Sequence, residues 1–336
     1  MVLQRRALLG GLAITLAGLI PGLIPGLGAP SASAQVPAGY PSKTIRFVVP
    51  YAPGGLPDTV ARVIAQRLQE KVGQSVVIEN KPGANGAVAA AAISQSAADG
   101  YTFLVTDGSM FSINPKIYAK LDYNPSKDFI PVALIARAPL FLAAVPGLPA
   151  GSLTEFVAYV KANPGKVNYG SSGIGSTHHL TMEALKAEYK LDMVHVPFKG
   201  TGQSVPALVG GQVQVLWSAY PSLAGFVKDN RVKLLATNSA KRSPQAPDVP
   251  AVAESVAGFD FAPIVGILAP AGTPKGIVDR IAADVVAVTA MPDTQKQLAG
   301  AGIEAVGGGS DDYAKAIADE NARMARAVEA AGIKAE

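Results

Sequence analysis

Reactive and anion-binding residue types concentrate in short glycine-bearing turns. The first is Tyr51-Ala52-Pro53-Gly54-Gly55-Leu56-Pro57-Asp58. Gly54 and Gly55 open backbone angles closed to other residues and leave no side chain between main chain and ligand. Pro57 and Asp58 suit a helix start, one by its fixed φ, the other by accepting from unpaired N–H groups. Such a turn presents amide donors and the positive end of a helix dipole, which is the chemistry of an anion site. Asp58 reads as a cap, because a bare carboxylate facing an anionic ligand is repulsive. The other turns are Gly83-Ala84-Asn85-Gly86, Asp107-Gly108-Ser109, the Gly/Ser loop Gly170 to Thr177 with Ser171, Ser172 and Gly173 ahead of His178, and Phe198-Lys199-Gly200. Trp217 and Tyr220 follow a further strand; cleft lining suits both, and core packing suits Trp217 equally.

Catalysis needs more than these turns offer. A hydrolase would require Ser172 or Ser109 to act with a histidine. No Gly-x-Ser-x-Gly elbow surrounds either serine. His178 and His179 are adjacent, so a helix would point them in different directions and deny them the i, i+4 spacing of a metal pair. His195 lies on a strand. We therefore assign no catalytic residue, no metal and no cofactor. Neither a Walker loop nor Gly-x-Gly-x-x-Gly opens a helix after a strand, which argues against a nucleotide site.

The turns need elements to hold them, and hydrophobic periodicity supplies these. The apolar run 45–50 reads as a buried strand leading to a helix over 59–71. A strand over 75–79, a helix over 87–97 and a strand over 101–106 follow. A long apolar stretch, 132–145, breaks at Pro139. The rhythm then restarts with helix 153–163, strand 166–169, helix 178–189, strand 193–196, helix 203–210, strand 213–217, helix 222–228 and strand 232–237. An extended segment over 261–269 precedes helices at about 274–290 and 311–331. Alternating strand and helix predicts mostly parallel sheets with helices on both faces. We expect two doubly wound α/β units joined by two extended crossings, at roughly 132–145 and 258–269. In such sheets ligands sit at the carboxyl ends of strands, where all the turns above lie.

The 336 residues are 49% hydrophobic and 16% charged, ample for a core and unlike a disordered chain. Aromatics are only 6%, and the formal charge of +4 includes Arg5 and Arg6 with no basic cluster after them, so no nucleic-acid partner is expected. Arg5-Arg6, an apolar stretch from Ala7 and Ala32-Ser33-Ala34 form the pattern of a cleavable export signal over residues 1–34. Glycines and prolines break the run, against a membrane anchor. The paired arginines suit twin-arginine export, although Gln4 departs from its usual residue and ordinary secretion stays open. There is no cysteine, hence no disulfide, thiolate site or lipid-modified terminus. A periplasmic protein, not embedded in the membrane, is the expectation.

Taken together, Pro53-Gly54-Gly55 with Asp58, Glu79-Asn80-Lys81-Pro82-Gly83-Ala84 with Gly86, Ala98-Asp99-Gly100-Tyr101, Asn168-Tyr169-Gly170-Ser171-Ser172-Gly173 and Val196-Pro197-Phe198-Lys199-Gly200 carry a resemblance. Gly210-Gly211-Gln212-Val213, Ala240-Lys241-Arg242-Ser243, Pro247-Asp248-Val249-Pro250 and Leu268-Ala269-Pro270-Ala271-Gly272-Thr273-Pro274 extend it over essentially the whole chain after the signal. In order and spacing they resemble the Bug-type extracytoplasmic receptors of tripartite tricarboxylate transporters. The resemblance implies a type II periplasmic-binding fold, a monomer that closes over a small carboxylate and hands it to a membrane permease. It implies a discontinuous first domain, 41–137 plus 264–336, and a second over 138–263. It places a ligand carboxylate on backbone and waters at Ala52 to Asp58 and Pro82 to Gly86, with Ser171 to Thr177 and Phe198 to Gly202 opposite. Two departures stand out: Asn85 where glycine is common, and Ala262-Pro263-Ile264-Val265 where a tryptophan is frequent. Lys199 is either a contact for a far carboxylate or a solvated lysine. A receptor feeding a signalling partner instead of a permease is the rival reading.

Overall fold

The computed structural model describes residues 36–51, 53–198 and 200–332. The export signal expected at 1–34 lies outside them, as do Ala52 and Lys199. Among the described residues no helix is long and apolar enough to cross a membrane.

The strands are β1 (Ile45–Val49), β2 (Val76–Asn80), β3 (Thr102–Asp107), β4 (Phe129–Arg137), β5 (Leu140–Ala144), β6 (Asn168–Ser171), β7 (Val194–Pro197), β8 (Val215–Ala219), β9 (Lys233–Thr237), β10 (Ile264–Pro270) and β11 (Glu304–Gly308). The helices are α1 (Leu56–Val72), α2 (Ala87–Ser94), α3 (Ser109–Ser112), α4 (Asn114–Ile117), α5 (Leu153–Ala162), α6 (Thr177–Tyr189), α7 (Thr201–Val209), α8 (Tyr220–Lys228), α9 (Lys275–Thr289), α10 (Pro292–Gly300) and α11 (Ser310–Ala330). One sheet has the order β11-β4-β10-β3-β1-β2 and the other β7-β6-β8-β5-β9.

Each sheet buries both faces, which is why its strands read as continuous apolar runs. Along β1, Phe47 and Val49 enter one core with α1 and α9, while Val48 between them enters another with α2 and Tyr313 of α11. The second sheet divides in the same way. Leu142, Tyr169 and Trp217 pack with α5 and α6, and Phe141, Leu216 and Leu223 pack with α7 and α8.

The expectation of mostly parallel sheets needs correction. β1 runs parallel to β2 and β3, and β6 parallel to β7 and β8. The crossing strands run against their neighbours: β10 antiparallel to β3 and β4, β5 antiparallel to β8 and β9. A chain that leaves one sheet and returns to it must reverse direction, so the crossings are mixed-sheet strands. Helix α10 and strand β11 were not anticipated; β11 contains Gly307 and Gly308 and pairs with β4 through an irregular register, which weakens its sequence signal.

Where the crossings pass, the chain is tied across them. The Ala138 amide donates to the Pro263 carbonyl at 3.0 Å, and Arg137 meets Asp260 at 2.5 Å. Buried Asn238 accepts from Leu140 and donates to Phe261, both at 2.8 Å. Helix α11 straps the molecule. Tyr313 joins a core of the first sheet, while Met324, Ala327 and Val328 join a core of the second.

Candidate functional site

The site is best built from Asp58. The first helix begins at Leu56 with Gly55 as its N-cap, so Asp58 lies inside the first turn and does not cap the helix. Its carboxylate instead accepts from the Gly54 amide at 2.8 Å, from Arg62 at 2.9 and 3.0 Å, and from Asn80 at 2.8 Å. Burial alone would raise this acid. The bonds from Arg62, Gly54 and Asn80 outweigh it and hold the carboxyl below its usual range. Gly54 has φ +85°, which only glycine adopts freely, and its N–H is spent on Asp58. The Leu56 and Asp58 amides in the first turn of α1 have no intrahelical acceptor and are open to an anion, whereas Pro57 has no N–H and the Thr59 amide donates to Gly55.

The neighbouring turns are knitted to this one. Asn80 also donates to the Tyr51 carbonyl at 3.0 Å, and the Tyr51 hydroxyl donates to Asp107 at 2.9 Å. The same Asp107 oxygen accepts from the Ser109 amide at 3.0 Å. Burial pushes both Asp107 and Tyr51 up, Tyr51 with the Asp107 charge as a further cause. In the second turn Gly83, Ala84, Asn85 and Gly86 all have positive φ, at 143°, 44°, 48° and 88°. The turn closes on itself through the Gly86 amide, which donates to the Gly83 carbonyl at 2.9 Å, so any anion held there must use the turn's remaining amides. Asn85 tolerates this backbone, and its side chain donates to Asn114 at 2.8 Å while Asn114 donates back to the Asn85 carbonyl at 3.0 Å. Asn114 in turn donates to the Tyr123 hydroxyl, which donates to the Met110 carbonyl. The loops after β1, β2 and β3 are therefore one hydrogen-bonded unit.

The second sheet presents a matching edge. Ser176 caps α6 by accepting from the His179 amide. Gly200, at φ +96°, precedes α7. The Phe198 amide donates to the Ser171 carbonyl and the Gly200 amide to the Ser172 carbonyl, which clamps the two loops together. A Cβ at Gly175 would stand 2.6 Å from Ile117 Cδ1, so the loop after β6 meets the segment after β3. Helices α1, α2, α6 and α7 thus each start from a turn at a parallel strand's carboxyl end. Tyr220 starts α8 and leans on Phe141 with ring centroids 5.6 Å apart, and Trp217 is fully buried in the core.

All three histidines bond to this edge. The Ser172 hydroxyl lies 2.7 Å from His178 Nδ1, and the Ser171 hydroxyl 2.7 Å from His195 Nε2. His179 Nδ1 accepts from the Gly175 amide at 3.1 Å. The His179 and His195 rings stack at 3.9 Å, and the Tyr169 ring lies near-parallel beside both, 4.8 Å from His195 and 6.3 Å from His179. Burial lowers His178 to about 4, and burial with the His179 ring and Lys186 lowers His195 to about 4. Burial lowers His179 too, against the Glu183 charge, so both stacked rings favour the neutral form and serve as loop supports. Tyr169 donates to Glu183, which also pairs with Lys186 at 2.7 Å.

Of the residues named from sequence, Tyr51, Pro53, Gly54, Gly55, Asp58, Gly83, Ala84, Asn85, Gly86, Asp107 and Ser109 lie in the knitted loops of the first sheet. Ser171, Ser172, Gly173, Thr177, His178, Phe198 and Gly200 lie on the second edge. Arg62, Asn114 and Tyr123 were missed, and Ser176 was named only as part of the loop Ser171 to Thr177. The i, i+4 spacing of Asp58 and Arg62 is a signal that would have found one of them.

Paired α/β sheets with glycine turns and helix starts at the strand ends define an α/β solute-binding protein of the periplasmic type. Residues 60–333 match the family described as "Tripartite tricarboxylate transporter family receptor". The chain belongs to that family. It is similar to the solved structure of Rhodopseudomonas palustris Rpa4515 with adipate (33% identity, TM-score 0.80, 88% of this chain and 100% of that one). It is also similar to the periplasmic binding protein BugD (30%, TM-score 0.76, 88% and 100%). A third likeness is to MatC from Rhodopseudomonas palustris with bound malate (33%, TM-score 0.74, 86% and 100%).

Proposed function

We propose that this chain is a periplasmic receptor that captures a small carboxylate between two lobes and delivers it to a tripartite membrane permease. The observation that carries the reading is the Gly83–Gly86 turn, a left-handed run that is costly to hold and is held by Asn114, beside a first turn whose Arg62 is already committed to Asp58. Amides, not a fixed cation, are then the anion donors. Each helix start contributes about 0.3–1 kcal/mol toward an anion beyond its hydrogen bonds when exposed, and more once closure excludes water. The relatives with adipate and malate support small aliphatic dicarboxylates as the first ligands to try.

The lobes in this reading are 41–137 plus 264–336, and 138–263. The sheet membership of β1 to β4 with β10 and β11, against β5 to β9, supports it. The receptor acts as a monomer after export and removal of residues 1–34. Delivery to a permease, as opposed to a signalling partner, rests on the family alone; deleting the gene and comparing uptake with transcriptional response separates the two.

A thermal-shift screen over aliphatic, amino and aromatic carboxylates tests the binding. A ligand at about 100 times its Kd stabilises the native state by about 2.7 kcal/mol. A screen in which no carboxylate raises Tm would overturn the reading. The two serine–histidine distances favour hydrolysis as a second reading, but among the described residues neither His178 nor His195 is hydrogen-bonded to a carboxylate that would orient it. Ester turnover abolished by Ser172→Ala would establish the hydrolase instead.

A further inference from the structure

The last strap helix carries a carboxyl group that the binding site does not explain. Glu320 is 4% exposed, and its Oε2 has no hydrogen-bond partner. It fills the notch left by Gly108, where a Cβ would stand 1.5 Å from Glu320 Oε2. Gly108 is the middle residue of the turn Asp107–Ser109, so the acid presses directly on a loop of the candidate site. Tyr313, seven residues earlier on α11, is fully buried with its hydroxyl unpartnered, in space opened by Gly266. Two buried glycines thus make room for two polar groups that no apolar packing requires.

We propose that Glu320 is a positioning residue: uncharged in the folded receptor, it holds the Asp107–Ser109 turn in its binding shape, and loss of its proton loosens that turn. Its consequence for capture rests on the binding reading above. The charge environment agrees. Burial is the largest influence, and with the Asp107 charge on β3 it pushes Glu320 up to about 8. Asp260, ahead of β10, acts in the same direction. Arg323 on α11 and Arg137 on β4 oppose it, and Arg137 is already paired with Asp260. Tyr313 is itself pushed well above its ordinary value by burial and by Glu320 and Asp107. A charged Glu320 would stand beside Asp107 with its Oε2 unpartnered, and the turn between them is the element free to give.

The test needs no ligand. A 13C titration of the side-chain carboxyls of the full mature chain, assigned with Glu320→Gln, should show Glu320 with a midpoint near 8, where an ordinary glutamate has about 4.3. Hydrogen exchange of residues 107–112, corrected for intrinsic rate, should accelerate about tenfold between pH 7 and 9 in the wild type and stay flat in Glu320→Gln. A wild-type midpoint below 6 overturns the proposal by itself, even if the variant fails to fold. So does acceleration that is equal in both proteins. Adipate titrations should show at least fivefold weaker binding at pH 9 than at pH 7 for the wild type only; equal loss in the variant counts against the link to capture. Absence of adipate binding at either pH bears on the ligand reading, while the carboxyl and exchange data still decide the role of Glu320.

Discussion

Asp58 receives hydrogen bonds from an amide, a guanidinium and a carboxamide, and each donor belongs to a different part of the first turn's support. Substitution Asp58→Asn keeps the shape but cannot accept from all of them. It should cost about 1.5–3 kcal/mol, the range for hydrogen bonds to a charged group, read by urea denaturation. The pH sign follows from its lowered carboxyl: the contribution is complete above the unfolded value near 4 and fades as pH falls through the lower folded value. A melting profile in which Asp58→Asn and wild type lose stability equally on acidification would contradict this. Gly83→Val is a sharper probe of the second turn. A Cβ there would meet Val88 Cγ2 at 2.8 Å, at φ +143°, so the turn must reshape. Carboxylate binding should vanish while circular dichroism stays native. These glycines were legible in the sequence because backbone freedom leaves a residue-type trace. Asn114 was not, because a side chain that braces a turn 29 residues away leaves no local pattern.

Among the elements, those set by local period were readable: α1, α6, α9 and the central strands lie within a few residues of where periodicity puts them. Strand β11 was hidden by its glycines, and the antiparallel direction of β5 and β10 depends on partners far along the chain. Helix α11 was visible as a helix, but its role as a strap across both sheets was not. Its docking depends on Gly266 in β10, where a Cβ would stand 2.4 Å from Tyr313 Cζ and 2.6 Å from the Ala133 carbonyl. Neither a ring wedged in a core nor a sheet carbonyl can retreat cheaply. Gly266→Ala should therefore destabilise the chain by about 1–3 kcal/mol through overpacking, measured by denaturant midpoint at unchanged slope. An alanine variant as stable as the wild type would mean that α11 sits more loosely than its packing indicates.

At the scale of the whole molecule, capture by closure requires the crossings to bend while the sheets stay rigid. The crossings carry the means to set a preferred angle. Arg137 and Asp260 pair across them, each with one further polar atom buried and unpartnered, and Asn238 ties β5 to the returning segment. A lock that is strong yet incompletely satisfied holds one arrangement without making the other inaccessible. If it biases the lobes, Asp260→Asn should leave the melting curve cooperative but shift the population between open and closed forms. A carboxylate found by thermal shift should reduce the radius of gyration of the wild type in X-ray scattering, because contacts from both edges favour the closed form. In Asp260→Asn the ligand-free radius should differ from wild type and the ligand-bound radius should coincide with it. Affinity would change by the same factor as the closed population, since a ligand that binds one state is weakened by the fraction of protein held in the other. Identical ligand-free and ligand-bound radii in the wild type would mean that the amide-lined edges take their anion without closing, and the crossings would then be a fixed frame.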